Sequence, residues 1–282
     1  MDKDLLVSQI MEKLQNMDAA GATGAAGAAG AAPQLSVGEA GKNYKLFSPG
    51  EQNGFTELVG TGLGDTIGLV IPNLDAGIHV RLGIDKKIRS LGIISSRSAV
   101  GPQCMGADDA LKSSNCELVM VQLPRDTKGG AGHGILIIFG AEDVSDARRA
   151  VEITLKSFEW SWGDQYGNEA GHCEVQYTAR AGEVLATCFN AKPGKAWGII
   201  CGAPAAVGLI MADRAAKAAD IEIVMHATPN LNTSNSNEFM IMFTGDSGAV
   251  KQAAIEGREI GIQALTILGG PPVSSGGKPY IF

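Results

Sequence analysis

The sequence predicts an α+β chain built from two tandem copies of one split β-α-β unit, and three observations predict it. The chain repeats itself at a spacing near 105 residues, so that Asp108 and Lys112 match Asp213 and Lys217. Each copy carries the same order of short apolar runs and helical runs. Each copy also lacks the strand that would close its unit, and a segment upstream of each supplies one.

The repeat is best seen by laying the chain over itself. From Arg89 it reads RSLGIISSRSAVGPQCMGADDALKSSNCELVMVQL, and from Lys195 KAWGIICGAPAAVGLIMADRAAKAADIEIVMHA. With small gaps, Gly92 matches Gly198, Ile93 and Ile94 match Ile199 and Ile200, Gly101 matches Gly208, and Glu117 matches Glu222. Further on, GILIIFGAEDVSDARRAVEI from Gly134 parallels EFMIMFTGDSGAVKQAAIEG from Glu238, with Gly140 set against Gly245. Upstream, ELVGT from Glu57 faces EVQYT from Glu174. Chance does not keep one order over three such blocks.

Within each copy a β-rich run (residues 91–95 and 197–201) leads into a helix rich in alanine and methionine, then two strand-like runs joined by a polar loop. That loop is PRDTKGGAGHG from Pro124 in the first copy and TPNLNTSNSNE from Thr228 in the second. A second helix begins near Asp143 or Asp246, acids suited to the positive end of a helix dipole. The unit is therefore β-α-β-β-α. With strands expected at 57–61 and 174–178 closing it from upstream, the order is that of a circularly permuted domain.

Ahead of the repeats, Leu6, Ile10, Leu14 and Met17 recur at helical spacing and predict an amphipathic helix over residues 4–17. An alanine-glycine tract over 19–33 follows, too uniform to specify a core, and is read as a tether. An isolated helix this short is marginal, so its apolar stripe either docks on this chain or finds a partner such as an enzyme core, unless it is a frayed end. The expected divisions are an N-terminal helix (1–18), a linker and extension (19–54), a first domain (55–158), a connection (159–172), a second domain (173–269) and a tail (270–282).

Composition excludes several function classes. The formal net charge of −7 is spread along the chain and offers no basic footprint, so no nucleic-acid partner is expected. Apolar stretches are broken well before the roughly 20 residues of a membrane span, and MDKDLLVSQI lacks the features of a secretory leader, so a cytoplasmic location is expected. Five cysteines stand without a C-x-x-C pair, which predicts reduced thiols, no metal site and no cofactor.

The run ADRAAKAADIEIVM from Ala212 and GDSGAVKQAA from Gly245, with their first-copy counterparts, resemble the bacterial microcompartment shell domain. IRSLGI, LPRDTKGGAGHG, FGAEDVSDARRA and YGNEAGH are similar to the tandem, permuted, propanediol- and ethanol-utilisation B-type shell proteins. The resemblance covers residues 55–269. It implies a ferredoxin-like fold in both copies and a trimer whose six domains imitate a hexamer, a pseudohexameric tile that packs with other shell proteins around enzymes. It also implies that Lys112 and Lys217 lie on the tile edge, where residue types alone would read them as solvated helix lysines.

A shell must admit its substrates, so polar openings are expected for small polar metabolites such as diols, alcohols or glycerol. One candidate lining is the strand–strand loop, with Lys128, Gly129, Gly130 and His133 in the first copy and Asn232, Thr233, Ser234 and Asn235 in the second. The other is the turn after the first strand, with Ser95, Arg97 and Ser98. Either set is equally readable as ordinary strand connections.

Other readings carry less. GTGLGD from Gly60 falls short of a dinucleotide fingerprint, and KGGAGHG from Lys128 lacks the Gly-Lys-Ser/Thr triplet of a phosphate loop. His172 and Cys173 are adjacent, which on a strand points them to opposite faces. His79 and His226 have no ligand-type neighbour at metal spacing. The alternatives to a shell subunit are a trimeric small-metabolite sensor and an enzyme using His133 or the His172–Cys173 pair.

Overall fold

The computed structural model describes residues 42–124, 134–233 and 236–282. The expected helix over 4–17, the tether, and the candidate residues Lys128, Gly129, Gly130, His133, Ser234 and Asn235 lie outside the described residues. The described residues all fall in one compact unit.

Two six-stranded antiparallel sheets follow the same plan. The first comprises β1 (Tyr44–Leu46), β2 (Leu58–Gly62), β3 (Thr66–Ile71), β4 (Ser90–Ser96), β5 (Glu117–Gln122) and β6 (Ile135–Ala141), in the order β1-β2-β3-β4-β6-β5. The second comprises β7 (Gln165–Asn168), β8 (Gly171–Thr178), β9 (Ala196–Ala203), β10 (Ile221–Ala227), β11 (Phe239–Gly245) and β12 (Val273–Ser274), in the order β12-β7-β8-β9-β11-β10. The helices also correspond. α1 (Ala76–Leu82), α2 (Gly101–Lys112) and α3 (Val144–Lys156) of the first half match α5 (Glu183–Phe189), α6 (Ala205–Ala218) and α7 (Ser247–Gly269) of the second, with the short α4 (Phe158–Ser161) between the halves.

Hydrogen-bond register ties the copies together residue by residue. Gly92 lies between Val70 and Phe139, as Gly198 lies between Tyr177 and Phe243. A side chain at Gly92 would strike the Ala147 carbonyl of α3 at 2.6 Å, and one at Gly198 the paired Phe243 ring at 2.7 Å and Val250 of α7 at 3.2 Å, so both central strands carry glycine where a helix comes close. Two exposed ion pairs are duplicated as well, Lys87 with Glu117 and Lys192 with Glu222.

Register also corrects the expected matches. The strand beside β4 is β3, and the strand beside β9 is β8, so 57–61 is the partner of β7 rather than of 174–178. The short motifs agreed by coincidence one strand out of step. Phe139 corresponds to Phe243, which places Gly140 against Thr244 rather than Gly245. Gly101 opens α2 whereas Gly208 lies inside α6, so these two are not equivalent. The stretch expected as a connection (159–172) contains β7, and the expected extension and tail contribute β1 and β12 as matching edge strands. Strands of two to four residues carry too little alternation to be seen in sequence.

One hydrophobic core runs across both halves. It joins Val59, Ile94, Ile137, Phe139, Cys104 and Met105 to Val184, Leu185, Phe189, Trp197 and Met242, with the Phe189 and Trp197 rings stacked at 5.5 Å. A second core lies within the later half, around Val175, Ile200, Met211, Phe243 and Leu265. The tail is pinned by Asp164, which is fully buried, pairs with Arg258 at 2.7 Å and accepts the Tyr280 and Ile281 amides. Gly64, with φ of 75°, makes the turn of GTGLGD between β2 and β3. The neighbouring glycines let Phe158, Val151 and Leu155 close in, so this segment is a packed hairpin.

Candidate functional site

The structure offers two features that bear on function: a joint between the halves, and a polar seam that runs beside it. At the joint, α2 is buried along most of its length because it packs α3 and α4 on one side and α5 on the other. Asp108 is 2% exposed, and its carboxylate accepts the backbone N–H of Gly182 at 2.6 Å, Val184 at 3.1 Å and Leu185 at 3.5 Å. It therefore caps α5 from the other half of the chain, a helix whose own N-cap is Gly182 and has no side chain to do so. Lys112 lies one turn along, 3.0 Å from Asp108 and 2.9 Å from the Arg180 carbonyl.

The same joint has an unoccupied counterpart. At the 105-residue spacing, buried Cys104 and Met105 become Leu209 and Ile210, which are 54% and 47% exposed. The helix matching α5 is α1, which has no buried residue and exposes Ile78, Val80 and Leu82. Asp213 and Lys217 pair with each other at 2.7 Å on the open face of α6. Each half thus carries one side of a joint that the single chain completes only once.

The polar seam follows from strand geometry. Residues two apart on a strand share a face, as do directly paired residues. His172 and Glu174 share one face of β8; Glu174 pairs with Cys201, and Cys201 pairs with Met240, two residues from Glu238. His172, Glu174, Cys201 and Glu238 therefore project to one side, while Cys173 turns into the core against the helices. His172 Nε2 lies 3.1 Å from Glu238 Oε1, the Cys201 thiol reaches the same oxygen at 3.9 Å, and Ser236 donates to Oε2. A side chain at Gly101 would strike Glu174 at 2.1 Å, so the first half's α2 begins against this carboxyl.

Burial pushes the Glu174 carboxyl above the usual carboxylate range. Burial works against a charged His172, but the Glu238 hydrogen bond and charge outweigh it and raise its pKa above the ordinary value. Burial, followed by the charges of Glu238 and Glu174, drives the Cys201 thiol well up.

The two loop sets expected as alternative linings are neighbours within each copy. The Ser96 carbonyl and Arg97 lie against Gly134 at the end of the first strand–strand loop, and the Ala205 amide is bound by Asn237 in the second. Ser95 sits in the sheet, paired with Ile67 and Leu136; Ser98 is buried; Arg97 is exposed on the turn. Thr233 is buried and donates to the Thr228 carbonyl at 2.6 Å, which makes it a loop brace. Asn232 is exposed, with φ of 66°. The expected lysine pair is split, Lys112 held within the joint and Lys217 on an open helix face.

The sequence reading missed the His172–Cys201–Glu238 group. These residues stand on three different strand segments and share no local spacing, and the expectation of no metal-ligating cluster rested on local spacing alone. The donor atoms of the three lie within 4.8 Å of one another. The one signal available was strand pairing: with β8, β9 and β11 in register, all three fall on one face. No helix among the described residues is long and apolar enough to cross a membrane.

Comparison with known proteins agrees with this architecture. Residues 196–269 match the BMC domain family. The chain is 52% identical over 217 residues to the bacterial microcompartment shell protein PduB of Salmonella typhimurium, a match spanning 77% of this chain and 80% of that one. The crystal structure of EtuB from Clostridium kluyveri superposes with a TM-score of 0.76 at 49% identity, covering 80% of this chain and 98% of that one. The crystal structure of a trimeric bacterial microcompartment shell protein PduB gives 0.75 at 44% identity, covering 80% and 99%. With both halves folded alike and relatives of this closeness, the chain belongs to the bacterial microcompartment shell proteins and is a structural shell subunit.

Proposed function

We propose that three copies of this chain close into a ring of six like domains, a tile of the shell wall, and that small polar metabolites cross it along the polar seam. The observation that carries the ring is the half-used joint. The face of α6 bearing Leu209, Ile210 and Asp213 matches the face of α2 that is already buried against α5, and α1 is the open match of α5. Setting α6 of one chain on α1 of the next repeats the internal contact. A head-to-tail contact of this kind makes a closed ring when its rotation divides a full turn. The trimeric PduB relative supports three chains as the closing number.

The seam suits a conduit because its groups are polar and fixed, and because the strand–strand loop and the turn of the second half meet beside it at Asn237 and Ala205. Lys217, 73% exposed in the last turn of α6 and beyond the apolar docking face, is assigned to contacts between tiles, as is the exposed part of Lys112 in the last turn of α2, and residues 4–17 to contact with enclosed enzymes. No group in this reading performs covalent chemistry on the metabolite.

Mass measurement in solution tests the ring. The wild-type chain is expected at three times the protomer mass, and the double replacement Leu209→Asp, Ile210→Asp is expected to run as a folded monomer. A wild-type monomer, or a double variant that remains trimeric, would overturn the reading.

A further inference from the structure

The geometry points to a three-ligand site for a thiophilic divalent cation of the zinc class, formed by His172 Nε2, Cys201 Sγ and a Glu238 carboxylate oxygen. One nitrogen, one sulfur and one oxygen donor form a set suited to zinc, and three protein ligands with a fourth position open is the pattern of a site that keeps access to solvent. All three donors lie within 4.8 Å of one another, with His172 to Glu238 at 3.1 Å and Cys201 to Glu238 at 3.9 Å. Tetrahedral zinc with its usual bond lengths sets such donors about 3.4 to 3.6 Å apart. Side-chain adjustments of about 1 Å or less in strands already paired close the set around an ion.

The surroundings fit the assignment. Glu238 is 5% exposed and Cys201 is buried, so both are held in place by the sheet, while the His172 side chain is 32% exposed and opens the site to solvent. Ser236 donates to the second carboxylate oxygen of Glu238 and orients it as a ligand. Glu174 lies next on the same strand face, paired with Cys201. In the metal-free chain, burial and these carboxylates hold the Cys201 thiol protonated. On binding, the sulfur–metal bond replaces the S–H bond and the nitrogen–metal bond replaces the Nε2–H bond: the thiol proton leaves to solvent, and the Nε2 proton leaves too when the ring is charged or moves to Nδ1 when it is neutral, with no change of oxidation state. The ordinary alternative is a His172–Glu238 ion pair with a thiol nearby.

Cobalt(II) separates the two, since a thiolate ligand gives it a charge-transfer absorption that an ion pair cannot produce. Full-length protein stripped with a chelator and titrated with cobalt(II) is expected to develop this band at one equivalent per chain and to lose it on adding zinc(II). Cys201→Ser is expected to abolish the band, and His172→Gln to weaken binding at least about tenfold, the size of effect that even outer partners of a metal site show. Cys116→Ser is expected to leave both unchanged. A wild-type titration without the band, or a band that survives Cys201→Ser, would overturn the assignment. If Cys201→Ser does not fold, Glu238→Gln with the same readout decides. The outcome is independent of ring closure, which the mass measurement reads separately.

Discussion

Replacing Asp108 by alanine tests whether the internal joint is held as the structure shows. The carboxylate is buried and accepts three backbone N–H groups at the start of α5, a helix without a cap of its own. Loss of an N-cap costs about 1 to 2 kcal/mol. Leaving buried N–H groups without an acceptor brings the total to about 3 kcal/mol, since the two effects overlap. The lost ion pair adds less than about 1 kcal/mol, because Lys112 is partly exposed and keeps the Arg180 carbonyl. At about 2 to 4 °C per kcal/mol for a unit of this size, Asp108→Ala should lower Tm by about 6 to 12 °C. In the monomeric Leu209→Asp, Ile210→Asp background, in which all three variants are compared and the α6 face stays open, Asp213→Ala removes only an exposed pair, costs about 0.3 to 0.5 kcal/mol and should lower Tm by about 1 to 2 °C. Asp108→Asn keeps an acceptor oxygen and should fall between them. Thermal unfolding at one fixed protomer concentration reads all three. An Asp108→Ala shift no larger than that of Asp213→Ala would refute the reasoning.

Gly92→Ala should destabilise by about 1 to 3 kcal/mol, because its methyl group meets the Ala147 carbonyl at 2.6 Å; a urea midpoint equal to wild type would contradict the packing. Arg258→Met leaves the buried Asp164 carboxylate without its partner and should cost about 3 to 5 kcal/mol, with faster amide exchange at Tyr280 and Ile281 showing release of the tail. Lys217→Ala should leave the trimer mass unchanged and reduce the extended sheets seen by electron microscopy; sheets equal to wild type would remove Lys217 from the tile edge.

The repeat made the fold legible because it is written in long, apolar central strands and in helices that keep their spacing. Gly92 with Gly198 and Asp108 with Asp213 are visible in sequence, and the structure puts both pairs at equivalent places. What was not legible was the outer sheet. β1, β7 and β12 are short, and without them ELVGT and EVQYT attracted a pairing one strand out of step. The roles of equivalent residues were also hidden. Asp108 and Asp213 read alike, yet one is a buried cap and the other an exposed ion pair, since burial depends on which copy finds its partner within the chain. The seam stayed out of sight for a related reason: His172, Cys201 and Glu238 converge only once strand order is known.

The two versions of the joint differ in a way that sets the order of assembly. α5 begins at Gly182 and borrows its cap from Asp108, so it is complete only when both halves have folded together. α1 begins at Asp75, whose own side chain accepts from Gly77 at 2.8 Å and from Ile78 at 3.3 Å, and it ends on Gly83 in the left-handed conformation. A helix capped at both ends from its own sequence does not need the next chain to form. In the proposed ring, what the next chain supplies is cover for Ile78, Val80 and Leu82, which the single chain leaves exposed. Dilution should therefore separate the ring into folded subunits, with the trimer mass lost before helical circular dichroism falls. Simultaneous loss of both would mean that α1 depends on its neighbour as α5 depends on Asp108.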